Sequence, residues 1–391
     1  MRRRTFLIGG AAALAVPLIA APIVLPPGAD SPFSPEPPAI DPAEHASTIA
    51  AMRPPKRERP VIAILALNAA TEVTDLLGPF NVLARAGIAD VFIVAERASP
   101  VQLYPFSRFG RGPMLFSIDP HMTMSGFDQR WPEGADYVVV PAIDPRDAAP
   151  ATSWIRGQRA KGATIASVCA GALTLGAAGL LDGRRATTHW AYLDDLRSNH
   201  PTMNWVRDRR YVADSGIVSA TGISASIPVS IALVEAIAGP ARAQAVAQAL
   251  GVAHWDERHL SSGFRLTNER RKTFVRNWLS FWRHHSLGLP IADGVDEIAL
   301  AYTADVWSRT GLSDVVVMSD TETVRSLHGL AIHPAGRSRD ARVDEMLPAP
   351  SPQTPAQAAS RELDRVAARF GRPSADIVAL AMEYRWAPAN A

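Results

Sequence analysis

The chain has 391 residues, 47% hydrophobic and 20% charged, with a formal net charge of +2 and a single cysteine. That length accommodates two or three domains, each with its own core. A charge so close to neutral gives no electrostatic footprint for nucleic acid, and one thiol excludes both an intrachain disulfide framework and a cysteine-built metal cluster.

Arg2, Arg3 and Arg4 precede an apolar, alanine-rich stretch from Phe6 to Leu25. The start Arg3-Arg4-Thr5-Phe6-Leu7 is similar to a twin-arginine export signature. The stretch is near the ~20 residues that span a bilayer, although prolines interrupt it. An uncleaved anchor with its arginines inside and a removed signal are both open. Either puts the bulk of the chain outside the cytoplasm, in a periplasmic or equivalent space, with the membrane as a partner of the N-terminal segment. Residues 26–59 are proline-rich, and they read as a semi-rigid linker that buries no core.

From Pro60 the pattern changes. "VIAILAL" (61–67) is a continuous apolar run of buried-strand length, "TDLLGPFNVLARAG" (74–87) has helical periodicity with a glycine stop, and "DVFIVA" (90–95) is a second strand. "YVVV" (137–140) and "ATIASV" (163–168) predict two more strands, with helices over 150–161 and 170–181. Strands alternating with helices predict an α/β fold with a parallel sheet covered on both faces, a three-layer sandwich.

Cys169 stands between the strand of 163–168 and the helix after it. That is the carboxyl edge of a parallel sheet, where open α/β folds bind ligands, and also a helix N-terminus, which favours an anion. A thiol there is expected to have a lowered pKa, with Ala170 and Gly171 small enough for a tight nucleophile elbow. A buried, inert cysteine is the alternative, and position alone leaves both open.

"SVCAGALTLGAAGLLDGRRATTHWAY" (167–192) is very similar to the ThiJ/PfpI superfamily, in particular its isocyanide hydratase branch and the amidase-like domain of AraC-type regulators. The resemblance covers about residues 60–250. It implies a flavodoxin-like fold of the class I glutamine amidotransferase type and a cysteine-centred site with no metal and no cofactor. By that resemblance Cys169 is the elbow nucleophile, Asp75 the acidic residue that hydrogen-bonds it, and His189 the nearby histidine. A protonated Asp75 would donate to the thiolate while His189 moves a proton. The alternatives are an N-cap role for Asp75 and a core role for His189. Departures from the family pattern surround the trio. The Pro-Gly-Gly loop of family enzymes is here Pro141-Ala142-Ile143, the residue after the cysteine is Ala170 rather than threonine, and the late loop reads "TGISASIPVS" (221–230). Ala142, Ile143, Ala170, Gly171, Gly222 and Ile223 are the expected lining of the substrate and oxyanion pocket.

Residues 251–290 read as a basic, aromatic helical connector. Phe274, Trp278, Phe281 and Trp282 fall on one helical face, ringed by Arg270, Arg271, Lys272, Arg276 and Arg283. Core packing is the first expectation for such a stripe, and a membrane-surface helix the second. Residues 291–391 form an α/β extension. "VLARAGIADVFIV" (82–94) and "VWSRTGLSDVVVM" (306–318) share identities at an offset of 224, and 139–163 is faintly echoed by 346–371, which suggests a truncated, chemically silent copy. Paired helix-turn-helix units are not evident there. His254 and His259, or the adjacent His284 and His285, lack metal-site spacing. Two functional classes follow: a cysteine-dependent hydrolase, hydratase or lyase acting on a small electrophile, or a non-catalytic ligand or oxidant sensor. The expected partner is a small molecule rather than nucleic acid, with a homodimer implied by the resemblance.

Overall fold

In the computed structural model, residues 36–107, 110–144, 148–337 and 342–387 are described. The signal or anchor expected at residues 1–25 lies outside them.

The first described element is α1 (Pro42–Ala51), inside the stretch expected to be linker. Asp41 caps it by accepting from the Ala43 N–H, and Pro42 stands at the first helical position, where its fixed φ helps and its missing N–H costs nothing. Composition alone had hidden this start signal. Met52, just past the helix, is fully buried. His45 fastens α1, with Nδ1 3.0 Å from Glu257 Oε2 and Nε2 3.2 Å from Glu235 Oε2. The Glu257 hydrogen bond outweighs burial and, with Glu235, raises the His45 pKa to about 9. A histidine raised on folding contributes stability that is complete below its unfolded pKa and lost as pH rises through the folded one. His45→Ala should therefore melt below wild type at pH 6, and the difference should vanish by pH 10. Thermal unfolding across that range checks it.

The main unit follows in order: β1 (Val61–Ala66), α2 (Val73–Ala86), β2 (Asp90–Ala95), β3 (Val101–Tyr104), β4 (Phe116–Ile118), β5 (Tyr137–Val140), α3 (Ala149–Ala160), β6 (Thr164–Ser167), α4 (Gly171–Ala177), β7 (Tyr211–Asp214), β8 (Ile217–Ala220), α5 (Ser226–Ala238) and α6 (Pro240–Leu250). The main sheet runs β7-β8-β6-β5-β1-β2, with Met122–Thr123 at its far edge. Only β7 is antiparallel to its neighbour. β1 shows why its apolar run is unbroken. Ile62, Ile64 and Ala66 face the layer of α2, α5 and α6, whereas Val61, Ala63 and Leu65 face α3 and α4. The helix expected to reach 181 stops at Ala177, because Gly179 turns left-handed (φ 71°).

The chain continues with α7 (Asn268–Leu279), β9 (His285–Pro290), α8 (Glu297–Ser308), β10 (Ser313–Ser319), β11 (Val324–Arg325), β12 (Ala331–Pro334), α9 (Ala358–Phe370) and α10 (Arg372–Ala381). The aromatic stripe of α7 is not core. Trp278 is 70% exposed, Phe281 78% and Trp282 71%. The face turned inward is polar: Asn277 donates to Thr310 O and Ser374 Oγ, and Arg270 donates to the carbonyls of Gly263 and Arg265. Those hydrogen bonds, invisible to a hydrophobic pattern, set the rotation of the helix.

Parallel strands β9 and β10 are the centre of a small four-stranded second sheet, flanked by Glu345–Met346 beside β9 and Gly336–Arg337 beside β10. This unit shares one continuous core with the main unit, α8 packing on α2, and β12 pairs antiparallel with β4 through Ile332 opposite Ile118. The contacts exchange reciprocally. Arg309 meets Glu72 at 3.0 Å and Asp305 at 2.8 Å, while Arg85 meets Asp296 at 2.6 Å and Asn81 at 3.1 Å. Residues 72, 81 and 85 stand 224 positions before 296, 305 and 309, the relation of an isologous contact between two halves of one chain. The faint echo of 139–163 in 346–371 has no such counterpart. α3 lies on the far face of the main sheet, whereas α9 packs on α8 as α5 packs on α2. Gly371 joins α9 to α10 at φ 87° just as Gly239 joins α5 to α6 at φ 81°.

Candidate active site

The elbow is built as its small residues require. Val168 N–H donates to Val140 O, Cys169 then turns at φ 56°, and its own N–H donates to Thr221 O at 2.9 Å. A positive φ at a residue with a side chain is strained and persists only where the surroundings enforce it. Thr188 Oγ1 holds the Cys169 carbonyl at 2.9 Å, and α4 begins two residues later. Gly171 has to be glycine: a Cβ there would sit 2.2 Å from Val140 O. Cys169 is 5% exposed.

Asp75 lies in the first turn of α2, fully buried. It is not the cap of that helix. Glu72 is, accepting from the Asp75 N–H at 2.6 Å, which leaves the Asp75 carboxyl for the cysteine. Asp75 Oδ2 accepts from the Ala142 N–H at 3.2 Å, and the neighbouring Cys169 thiol helps to pull the carboxyl's pKa down. Oδ1 has no hydrogen-bond partner among the described residues. The Ala142 carbonyl in turn accepts from Glu72 N–H, and Ile143 bridges to Thr71. The altered loop therefore spends its Ala142 N–H on the acid instead of offering it to a substrate oxygen.

Three groups that sequence reasoning passed over complete the cluster: Glu72 from the short strand Thr71–Glu72 that leads into α2, Asp305 from α8, and Arg309 at the C-cap of α8. Thr74 Oγ1 lies 3.1 Å from Glu72 Oε1 and 3.2 Å from Asp305 Oδ2, so its one hydrogen is shared between the two carboxyls. Arg309, 4% exposed, lies between those carboxylates and also donates to the Phe106 carbonyl. One cation thus faces three carboxyls and a thiol. Burial raises the Asp75 pKa to about 7 against the pull of the Ala142 N–H and Arg309. It pushes Glu72 well above the usual carboxylate range, Asp75 and Asp305 adding to the effect. Burial works against the Arg309 charge too, but Asp305 and Glu72 outweigh it and hold the guanidinium ionised.

Cys169 moves opposite to expectation. Burial raises its pKa well above that of an ordinary thiol, reinforced by Asp75 and Glu72, and the Ala170 N–H and Arg309 offset only part of this. At rest the proton stays on sulfur.

The structure does not bring the ring nitrogens of His189 into this pair. Nδ1 accepts from the Ala191 N–H at 3.1 Å, so Nε2 carries the proton and donates to Ala381 O at 3.0 Å. Burial keeps the ring neutral. His189 thereby ties the elbow to the end of α10, alongside Trp190 Nε1 bonded to Leu380 O. Gly222 is pressed against His189 and Glu383, a Cβ there falling 2.4 Å from Glu383 Cβ, and Ile223 is buried. Arg309 did have a signal in the sequence, its repeat identity with Arg85. Glu72 and Asp305 had none.

Residues 61–236 match the model of the DJ-1/PfpI family. The chain is 36% identical over 179 residues to isonitrile hydratase of Pseudomonas putida, a match covering 44% of this chain and 70% of that protein. It belongs to the DJ-1/PfpI family. Within 44% of its length it is also 30% identical over 177 residues to the HTH-type transcriptional regulator CdhR of Pseudomonas aeruginosa, covering 52% of that protein. Among solved structures, a ThiJ/PfpI family protein from Pseudomonas syringae is 24% identical, with a TM-score of 0.42 over 56% of this chain and 82% of that one. As a DJ-1/PfpI member this chain carries, beyond the matched residues, the α/β extension that delivers Asp305 and Arg309 to the cysteine.

Proposed function

We propose that this chain is a cysteine-dependent enzyme that adds water to a small electrophilic carbon, with Cys169 as nucleophile and Asp75 as its proton relay. The observation that carries this is the buried Cys169–Asp75 pair, a strained elbow thiol beside a carboxyl whose pKa is raised to about 7. A base poised near the working pH combines the right protonation state with enough driving force to move a proton. As sulfur attacks, its proton passes to Asp75. The relative's name supports an isonitrile, R–NC, as the substrate class to try first. The S–C bond then forms at the terminal carbon, and Asp75 returns the proton to that carbon, leaving R–N=CH–S–Cys. Water adds to the same carbon and the C–S bond breaks. One water proton goes to nitrogen and the other back to sulfur, releasing the N-formamide. Peroxide sensing is less well supported, because it calls for a thiolate at rest and this thiol is held protonated.

The experiment is N-formamide production from an alkyl isonitrile, read by mass spectrometry for wild type, Cys169→Ala and Asp75→Asn. Cys169→Ala should abolish turnover, and Asp75→Asn should lower kcat by about 10²-fold or more. Wild-type kcat/KM should rise with pH through about 7 as Asp75 ionises, and that limb should disappear in Asp75→Asn. Turnover that survives Cys169→Ala would refute the proposal.

A further inference from the structure

We propose that α7 and the turn after it dock on the surface of an anionic lipid bilayer. The face is built inside out for a helix lying against a protein core. Asn277, Thr273 and Arg270 are buried, and Val275, Trp278, Leu279, Phe281 and Trp282 are turned to solvent. Phe281 and Trp282 stand edge to face, their ring centroids 5.1 Å apart, as a protruding aromatic pair. Tryptophan favours the headgroup boundary, where its ring is apolar and its N–H stays wet.

Charge selects the occupant. Exposed Arg265, Arg271, Lys272, Arg276 and Arg283 surround the aromatic face, and Glu269 is the exposed carboxylate among residues 265–283. A second copy packed face to face would bring these cations together. The apolar N-terminal run offers no complement, since residues 1–29 contain no aspartate or glutamate and begin with three arginines. An anionic bilayer satisfies the aromatics and the cations at once.

The path of the chain agrees. Glu36 and Pro37, the first described residues, line the same cavity as Gly263 and Phe264, just ahead of α7. The eleven residues from Pro26 to Glu36 reach about 40 Å at most, and twelve-residue α7 is ~18 Å long. An apolar run anchored in a membrane therefore leaves α7 within reach of the same surface. Two weak signals together give stable attachment where one gives only reversible binding.

The test uses the full chain with vesicles of phosphatidylglycerol and bromine-labelled phosphatidylcholine, in which bromine quenches any tryptophan that enters the bilayer. Trp278 and Trp282 are the strongly exposed tryptophans among the described residues. Two of the nine tryptophans face the bilayer, so about a fifth of the emission should be quenched, and that loss should disappear in Trp278→Phe/Trp282→Phe, although that variant still sediments with vesicles. Omitting phosphatidylglycerol should weaken the quenching severalfold. Wild type that sediments with vesicles without quenching would mean that the N-terminal run alone holds the protein, and quenching unchanged in the double variant would mean that other tryptophans enter the bilayer; either would overturn the proposal. So would shielding of these tryptophans from acrylamide without vesicles, which would assign the face to the N-terminal run or to a second copy.

Discussion

Replacing Arg309 by methionine should cost about 3 kcal/mol or more of stability at pH 7, because breaking a buried ion cluster leaves its remaining charges uncompensated. Glu72, Asp75 and Asp305 all lie within the arginine's reach, and all three are fully buried. Without the guanidinium their pKa values rise further. Carboxyls raised on folding contribute stability that is complete below about 4, their unfolded value, and lost as pH rises through the folded one. The defect should accordingly shrink between pH 7 and pH 5. Urea unfolding at both values checks this, and Arg309→Met combined with Asp305→Asn should be milder than the sum of the two single changes. A defect equal at both pH values would show that Arg309 acts through packing alone.

Gly171→Ala is the second large effect. The added methyl would meet Val140 O at 2.2 Å and Pro141 O at 3.0 Å, both backbone atoms at the end of a central strand, so no flexible side chain can yield. Overpacking of this kind costs about 3 kcal/mol, the upper end of its usual range. Relief by tilting α4 would also move Cys169 off Asp75, and a displacement of about 1 Å lowers turnover by about 10²-fold. Gly157 is the internal control. It lies inside α3, where an added methyl would have no neighbour within 4 Å, and Gly157→Ala should stabilise by about 0.5–1 kcal/mol without touching activity. Paired urea titration and turnover for the two variants separate steric from helix-propensity effects.

What was legible in the chain follows from range. β1, β2, β5 and β6 declare themselves because strands buried on both faces are apolar without interruption, a local property. The elbow was legible for a similar reason, a cysteine followed by small residues at a strand end. The α7 stripe misled because aromatic spacing shows only that a face exists, while Asn277 and Arg270 decide which way it turns. The thiol's pKa misled because helix position is local but burial and Glu72 are not. Arg309 is 237 residues from Glu72, and only the fold brings them together. His189 belongs to the same class, its ring committed to Ala381, 192 residues away.

The reciprocal contacts of Arg85 and Arg309 have a consequence for how this centre varies. In an assembly of identical subunits, a substitution at such a contact is made twice, and each copy must still serve its reactive partner. Here both sides are written separately in one gene product, and they have already parted. Arg309 attends a thiol and three acids, whereas Arg85, with Asn81 where the other side has Asp305, attends no nucleophile among the described residues. One half can therefore specialise in support while the other keeps the cysteine. Because they share a backbone, dilution cannot separate the cysteine from the arginine that balances its neighbours.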